Sequence, residues 1–151
     1  MSKYDEDNKD FWELDHLLMS YRRQLGQKES LERRRRDLKL QFGENRKNTH
    51  NGGKTGILAQ IDNLDKQIGK QIDNAIKSLI KVQDIINFLP QDNESWNVLC
   101  CRYIDGYGWD KIKRECYMGR RTAIRKWKSG MQELLTFKKI QEEIKDAGKK
   151  K

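Results

Sequence analysis

Aliphatic side chains recur every three or four residues between positions 57 and 89, and no proline interrupts them. That spacing places one apolar stripe along a single α-helix of about 50 Å, at 1.5 Å per residue. Thr55 is the predicted N-cap of this helix, and Pro90, the one proline in the chain, is predicted to end it. The stripe comprises Ile57, Ile61, Leu64, Ile68, Ile72, Ala75, Leu79, Val82, Ile86 and Leu89.

A similar apolar pattern precedes this helix and predicts a partner for it. Asp10 is the predicted N-cap of a helix whose seam alternates spacings of three and four, as in a coiled coil, through Phe11, Leu14, Leu18, Tyr21 and Leu25. Residues 43–54 are polar and rich in glycine, which predicts a flexible connector. Residues 1–89 are therefore expected to form an antiparallel helical hairpin. The sequence leaves open whether that hairpin only stabilises the protein or forms a homo-oligomer or a partner-binding arm.

The positive charge of the chain is concentrated toward its C-terminal end. Of the net charge of +9, residues 1–90 contribute 17 basic and 14 acidic side chains, and residues 91–151 contribute 15 and 9. A basic C-terminal part favours a polyanionic partner such as nucleic acid. The run of four arginines at residues 33–36 covers every face of a helix, because four residues make about one turn. For this run a solvated surface is favoured over a phosphate-binding one.

Several classes of protein are not expected from this sequence. The three cysteines, at positions 100, 101 and 116, have no Cys-x-x-Cys spacing, so no metal site is expected. Their odd number predicts reduced thiols rather than a disulfide framework. The chain shows neither a signal-peptide pattern nor an apolar run of membrane length, which predicts a cytoplasmic protein without a membrane partner. Without a catalytic constellation or a phosphate-binding glycine loop, no enzyme, cofactor or small-molecule substrate is expected.

Three short amphipathic segments follow Pro90 and are separated by turns that contain glycine. Gly106 and Gly108 mark the first turn, and Gly119 stands immediately before the third segment. This pattern predicts a helix-turn-helix over residues 90–137, followed by a fraying basic tail at residues 138–151. The apolar positions of the three segments are Trp96, Leu99, Cys100, Tyr103 and Ile104, then Trp109, Ile112 and Cys116, then Ala123, Trp127 and Met131.

The third segment carries five cations in nine residues and no acid. Arg120 and Arg121 fall in its first turn, where helix-turn-helix proteins meet base edges, and one arginine can contact O6 and N7 of guanine together. Thr122 is a candidate for a phosphate or a thymine methyl group. The other predicted DNA contacts, mainly to phosphates, are Arg125, Lys126 and Lys128 on this segment and Lys111, Lys113 and Arg114 on the preceding one. Trp127 is predicted to be a core residue rather than a base-stacking one.

The pair Leu89-Pro90, followed by WNVLCCRYIDGYGWDKI at residues 96–112, resembles the start of a sigma-factor region-4 module. The whole chain resembles phage late-gene transcription activators of the RinA and ArpU type. Those proteins have a similar order of an acidic aromatic helix, a connector, a long Ile/Leu helix and a region-4-like helix-turn-helix. Only residues 89–135 are motif-like. Gly108 and Gly119 stand where such modules often carry Ser or Thr, and Arg121 replaces a small or polar residue, so the resemblance implies no target sequence.

The resemblance implies a sequence-specific regulator that binds double-stranded DNA near phage or mobile-element promoters and assists host RNA polymerase. The alternative function is that of a small terminase subunit, which also joins a helix-turn-helix to an oligomerising helical hairpin. A terminase subunit recognises a DNA packaging site and assembles into a ring, whereas an activator binds promoter DNA. These two functions are therefore distinguished by where the protein sits on its genome.

Overall fold

The computed structural model of the protein describes residues 3–48 and 51–149, which form helices joined by short turns. No β-strand occurs in these ranges, so the predicted all-α fold class is confirmed. None of the helices described is both long enough and apolar enough to cross a membrane. The helices are α1 (Lys3–Leu18), α2 (Ser20–Asn48), α3 (Asn51–Ile86), α4 (Glu94–Tyr103), α5 (Trp109–Glu115), α6 (Arg120–Leu135) and α7 (Lys138–Lys149).

The N-terminal helical region begins earlier than the sequence predicts and is interrupted once. Helix α1 already includes Lys3, so Asp10 lies inside the helix and does not cap it. A turn at Met19 separates α1 from α2, while the Met19 N–H still donates to the Asp15 carbonyl at 3.0 Å. The predicted seam from Phe11 to Leu25 is therefore shared between two helices.

The predicted connector at residues 43–54 is helical wherever it is described, which corrects the sequence prediction. Helix α2 continues through Gly43 to Asn48, and α3 begins at Asn51, so Thr55 lies within α3 and does not cap it. Residues 49 and 50 of that connector lie outside the described residues. Glycine costs about 1 kcal/mol relative to alanine in a helix, a preference that disfavours a helix without excluding one. Composition rich in turn-forming residues was therefore a poor guide here.

The chain divides into two compact units. One consists of Met1–Arg22 together with Ser78–Lys151, and the other is Arg23–Lys77. The first unit therefore combines α1, the first residues of α2 and the last residues of α3 with α4, α5, α6 and α7. Its fully buried side chains include Leu14, Leu18, Ile86, Leu99, Tyr103, Ile112, Met131, Leu134 and Ile140. Burying one such aliphatic side chain contributes about 1.5–3 kcal/mol, so this cluster is the main source of stability in the unit.

This division differs from the predicted one, which placed a hairpin at residues 1–89, a helix-turn-helix at 90–137 and a tail at 138–151. Leu14 and Leu18 of the expected hairpin lie in the same core as Leu99 and Met131. The physical reason is that an apolar stripe shows which face of a helix is buried but not which helix covers that face.

The predicted basic tail also contributes to the core. Helix α7 buries Ile140 completely and Ile144 almost completely. In addition, Lys81 Nζ lies 3.2 Å from Glu143 Oε2, which links the end of α3 to α7. Residues 138–149 are therefore a packed amphipathic helix rather than a fraying extension, while residues 150 and 151 lie outside the described residues.

The other compact unit contains parts of α2 and α3. Gln71 Nε2 donates to the backbone carbonyl of Gln24 at 3.2 Å, and Arg35 forms an ion pair with Asp65. Ile61 and Ala75 are buried. Within the arginine run at residues 33–36, three side chains are exposed and Arg35 is half-buried at its ion pair. Exposed guanidinium groups are expected for a solvated run and for a phosphate-binding one alike, so the favoured solvated interpretation stays a prediction.

Helix α3 ends at Ile86, four residues before the proline that was predicted to end it. Two tighter turns follow, in which Phe88 N–H donates to Ile85 C=O at 3.1 Å and Leu89 N–H donates to Ile86 C=O at 3.0 Å. A residue that precedes proline disfavours the α conformation. The hydrogen bonds accordingly shift to the third residue back before the chain reaches Pro90. Leu89 is nevertheless buried in the core.

Candidate nucleic-acid interface

Helix α4 forms the inner layer of the candidate interface. Asn93 has an extended backbone, with φ −77° and ψ 130°, and its side-chain oxygen accepts from Ser95 N–H at 2.9 Å. This is an N-cap, which satisfies one amide that the helix itself cannot. Val98 and Leu99 are then fully buried. The cap and the buried face together set where α4 begins and how it is rotated.

Helix α6 lies directly against α4 at a buried glycine. A Cβ added to Gly130 would lie 2.9 Å from Ser95 Cβ and 3.2 Å from Leu99 Cδ1. Both distances are shorter than ordinary van der Waals contacts, so the two helices approach this closely because residue 130 has no side chain. The contact fixes the position of α6 relative to α4.

The turn after α4 is shaped by a second glycine. Gly106 has φ +73°, a left-handed conformation that glycine adopts without steric cost. Arg22 packs its guanidinium against Gly106 and donates from Nη1 to Ile104 C=O at 3.3 Å. A side chain at position 106 would have to displace that guanidinium and would also be strained by the positive φ.

Helix α5 presents its cations outward. Ile112 is fully buried, whereas Lys111, Lys113 and Arg114 are exposed, as the sequence predicts. Lys111 Nζ lies 4.2 Å above the Tyr107 ring, a cation–π contact that holds this ammonium near the preceding turn. The three predicted cations of α5 are therefore accessible to a ligand.

The start of α6 is the most exposed part of the candidate interface. Gly119 is its N-cap, with φ −69° and ψ 158°, and no side chain caps this end. Arg120 and Arg121 in the first turn are both exposed. The positive end of the helix and two guanidinium groups therefore lie together, an arrangement that favours an anion.

The rest of α6 separates an apolar face from a cationic one. Ala123, Trp127 and Met131 are buried, which agrees with the prediction that Trp127 is a core residue. Arg121, Arg125 and Lys128 follow one another at spacings of four and three and are all exposed. Side chains at this spacing share one face of a helix. We call these three residues the cationic stripe.

Two predicted contacts of α6 lie off this stripe. Lys126 is half-buried, and its Nζ lies 3.6 Å from Glu94 Oε2, so it links α6 to the start of α4. Thr122 is also half-buried. In contrast, no residue of the cationic stripe forms an ion pair within the part of the chain that the structure describes. The structure thus distinguishes Lys126 from the other cations of α6.

A buried polar chain connects α1, α4 and α6 behind the candidate interface. Trp127 Nε1 donates to the Tyr103 hydroxyl at 2.8 Å, and that hydroxyl donates to Asp15 Oδ1 at 2.6 Å. Arg102 lies over two rings, with its Cζ 4.5 Å from the Trp109 centroid and 5.2 Å from that of Trp127. The sequence did not predict this hydrogen-bonded network, because Asp15 and Tyr103 lie far apart in sequence and no spacing rule relates them.

The three cysteines are free thiols, two of them on α4 and the third, Cys116, at the C-cap of α5. Cys101 Sγ lies 3.8 Å from Cys116 Sγ. Burial raises the pKa of Cys100 to about 12, and burial together with the Cys116 contact raises the pKa of Cys101 to about 12. Both thiols are therefore held in the neutral form. Across the described ranges, no group of three His, Cys, Asp or Glu side chains is arranged to hold a metal ion.

No family model, curated protein or solved structure matches this chain. Its function is therefore inferred from the sequence patterns and from the geometry of α4, α5 and α6. The cationic stripe, the exposed first turn of α6 and the outward cations of α5 are the features that a ligand would meet.

Proposed function

We propose that α4, α5 and α6 form a helix-turn-helix and that the protein is a sequence-specific DNA-binding transcription regulator. In this proposal α6 enters the major groove of double-stranded DNA. The observation that carries it is the division of α6 into a buried apolar face and an exposed cationic stripe formed by Arg121, Arg125 and Lys128. A helix that is anchored on one face and cationic on the other is suited to a groove lined by phosphates.

The position of each cation suggests its role. Arg121 stands in the first turn of the stripe, where helix-turn-helix proteins reach base edges, and its planar guanidinium can grip guanine O6 and N7. Arg120 flanks it in the same turn. Arg125 and Lys128 lie further along the helix and are assigned to the groove walls, together with Lys111, Lys113 and Arg114 of α5. Lys126 is assigned a smaller part, because it is half-buried and forms an ion pair with Glu94.

The biological role is proposed from the resemblance to phage late-gene activators. Promoter DNA and host RNA polymerase are the proposed partners, and the bacterial cytoplasm is the proposed location. Helix α1 is a candidate polymerase contact, because Asp10 and Glu13 are exposed on it and Trp12 is 57% exposed. The unit formed by Arg23–Lys77 is the candidate site of self-association.

The first experiment is selection of duplexes from a random library, followed by titration of the selected duplex and a scrambled one. Wild-type protein is expected to prefer the selected duplex by at least about a hundredfold, within the usual range of specific binders. Lys70→Ala, which removes one exposed charge from the other compact unit, is the matched control and should bind like wild type. Equal affinity of wild type for both duplexes would contradict sequence-specific binding.

A chromosomal occupancy map in the native host then separates activator from packaging component. A sharp peak upstream of a late promoter, with late transcription lost on deletion, supports the activator. A peak at a packaging site with late transcription intact would instead support the small terminase subunit. Occupancy spread over the whole genome would mean that the cations supply only nonspecific attraction.

A further inference from the structure

The turn between α5 and α6 holds a tyrosine in an unusual backbone conformation. Tyr117 has φ +53°, and among the described residues it is the one non-glycine residue with positive φ. Residues with a Cβ disfavour this region because the Cβ approaches the following carbonyl oxygen. Tyrosine at this position therefore carries a steric cost that glycine would not.

The local hydrogen bonding explains why a left-handed residue is needed here. Cys116 is the C-cap of α5, and Met118 N–H donates to Lys113 C=O at 3.2 Å. This six-to-one bond belongs to the Schellman motif, whose left-handed residue is usually glycine. Tyr117 occupies that glycine position. The turn requires the backbone conformation but does not require an aromatic ring.

Nothing in the described part of the chain uses the ring of Tyr117. The residue is 95% exposed, the highest value among the exposed large apolar residues, so it contributes almost no burial to the fold. Its phenol oxygen makes no hydrogen bond within the described residues. A costly residue that contributes so little to its own fold points to an external partner.

The flanking charges indicate the chemistry of that partner. Lys113 and Arg114 precede the tyrosine in the last turn of α5, and Arg120 and Arg121 follow it in the first turn of α6. All four are exposed, and within the described ranges none forms an ion pair. An aromatic hydroxyl placed between two pairs of cations suits a polyanion, since tyrosine hydroxyls donate to phosphate oxygens.

We infer that Tyr117 is a DNA-backbone contact, its phenol O–H donating to a phosphate beside the bases that α6 meets. The inference rests on the proposed function and adds a positioning residue to it. The contact orients the first turn of α6, so the strain at Tyr117 is retained for binding rather than for folding. A phosphate contact does not depend on which bases are present, and the phenol that makes it is uncharged.

The test compares Tyr117→Gly, Tyr117→Phe and wild type in stability and in binding. Glycine should raise Tm by about 2–4 °C because it removes the left-handed strain. The same variant should weaken binding about tenfold on selected and scrambled duplexes alike, because a hydrogen bond to a charged group is lost. The salt slope of binding should not change, because the phenol that is removed carries no charge. Phenylalanine should lose most of the same affinity without the gain in Tm. Opposite changes in stability and affinity would not arise from a merely structural role.

Arg121→Ala, measured beside these variants, separates failure of this inference from failure of the proposed function. If wild type shows no preference for the selected duplex, the proposed function fails and the inference fails with it. If Arg121→Ala loses the preference while Tyr117→Gly binds like wild type, only the inference is overturned. Phenylalanine binding like wild type would overturn the hydrogen-bond assignment. Normal DNA binding by Tyr117→Gly, with activation lost in transcription by purified polymerase, would assign the tyrosine to a protein partner instead.

Discussion

The Tyr103 hydroxyl donates to Asp15 Oδ1 at 2.6 Å and at the same time accepts from Trp127 Nε1 at 2.8 Å. One fully buried oxygen thus connects α1, α4 and α6, the last of which carries the cationic stripe. Because Trp127 and Asp15 both depend on that oxygen, its loss would leave a buried donor without a partner. Asp15 of α1 is therefore linked by hydrogen bonds, through Tyr103, to the helix that carries the cationic stripe.

Tyr103→Phe should lower the free energy of unfolding by about 1–3 kcal/mol, the cost of leaving a buried polar group unsatisfied. The ring volume is retained, so the loss reports on the hydroxyl rather than on a cavity. Urea denaturation followed by tryptophan fluorescence measures it. Tyr21→Phe, at a half-buried tyrosine in the same unit, is a matched control and should change stability less. A loss for Tyr103→Phe no larger than that of the control would contradict the role of the polar chain.

Stability should fall as the pH rises above 9. Burial raises the pKa of Cys100 and of Cys101 to about 12, and burial followed by the Asp15 hydrogen bond raises the pKa of Tyr103. Raised folded-state pKa values mean that the native state keeps protons which the unfolded chain releases. Their contribution is therefore complete below the ordinary thiol pKa of 9.0 and is lost progressively toward pH 12.

Urea titrations at pH 7.5, 9 and 10.5 measure this dependence, and Cys101→Ala provides the comparison. The variant removes one of the raised thiols, so its stability should decline less steeply between pH 9 and 10.5. Identical slopes for the variant and wild type would show that Cys101 does not retain its proton in the folded state.

Gly130→Ala should destabilise the protein by about 1–3 kcal/mol, the usual cost of overpacking a core. The new Cβ would lie 2.9 Å from Ser95 Cβ, so α4 and α6 would have to separate. Gly69→Ala in α3 is the matched control, because a Cβ there meets nothing within 4 Å. Alanine at position 69 should stabilise the helix by about 0.5–1 kcal/mol. Thermal unfolding of the pair should therefore show shifts of opposite sign.

Alanine substitutions in α6 should separate base contacts from phosphate contacts. Arg120→Ala and Arg121→Ala should each cost about 1–3 kcal/mol on the selected duplex and much less on random DNA. Lys128→Ala should weaken both duplexes alike and reduce the salt slope by about one unit. Lys126→Ala is also expected to act on both duplexes, with a smaller effect because of the Glu94 ion pair. Fluorescence anisotropy at several salt concentrations measures all four, and equal losses on every duplex would refute base contact by the arginines.

Much of the local organisation around the candidate interface was predictable from sequence. Gly108 and Gly119 stand at the N-caps of α5 and α6, and Ile112, Ala123 and Met131 lie on the buried faces predicted from their spacing. These features depend on backbone conformation and on helical periodicity, both of which are properties of neighbouring residues. The prediction of a flexible connector at residues 43–54 rested on composition alone and was wrong, because residues 43–48 and 51–54 are helical.

By itself the sequence determined that the described residues are helical, where the short C-terminal helices begin, and which residues form the apolar face of α6. Only the tertiary structure decided that Leu14, Leu18 and Ile140 share a core with α6, and that Glu94 pairs with Lys126. The physical reason is that periodicity records how a segment is divided between water and apolar surroundings. Which distant segment supplies those surroundings depends on packing between side chains, and no local spacing encodes it.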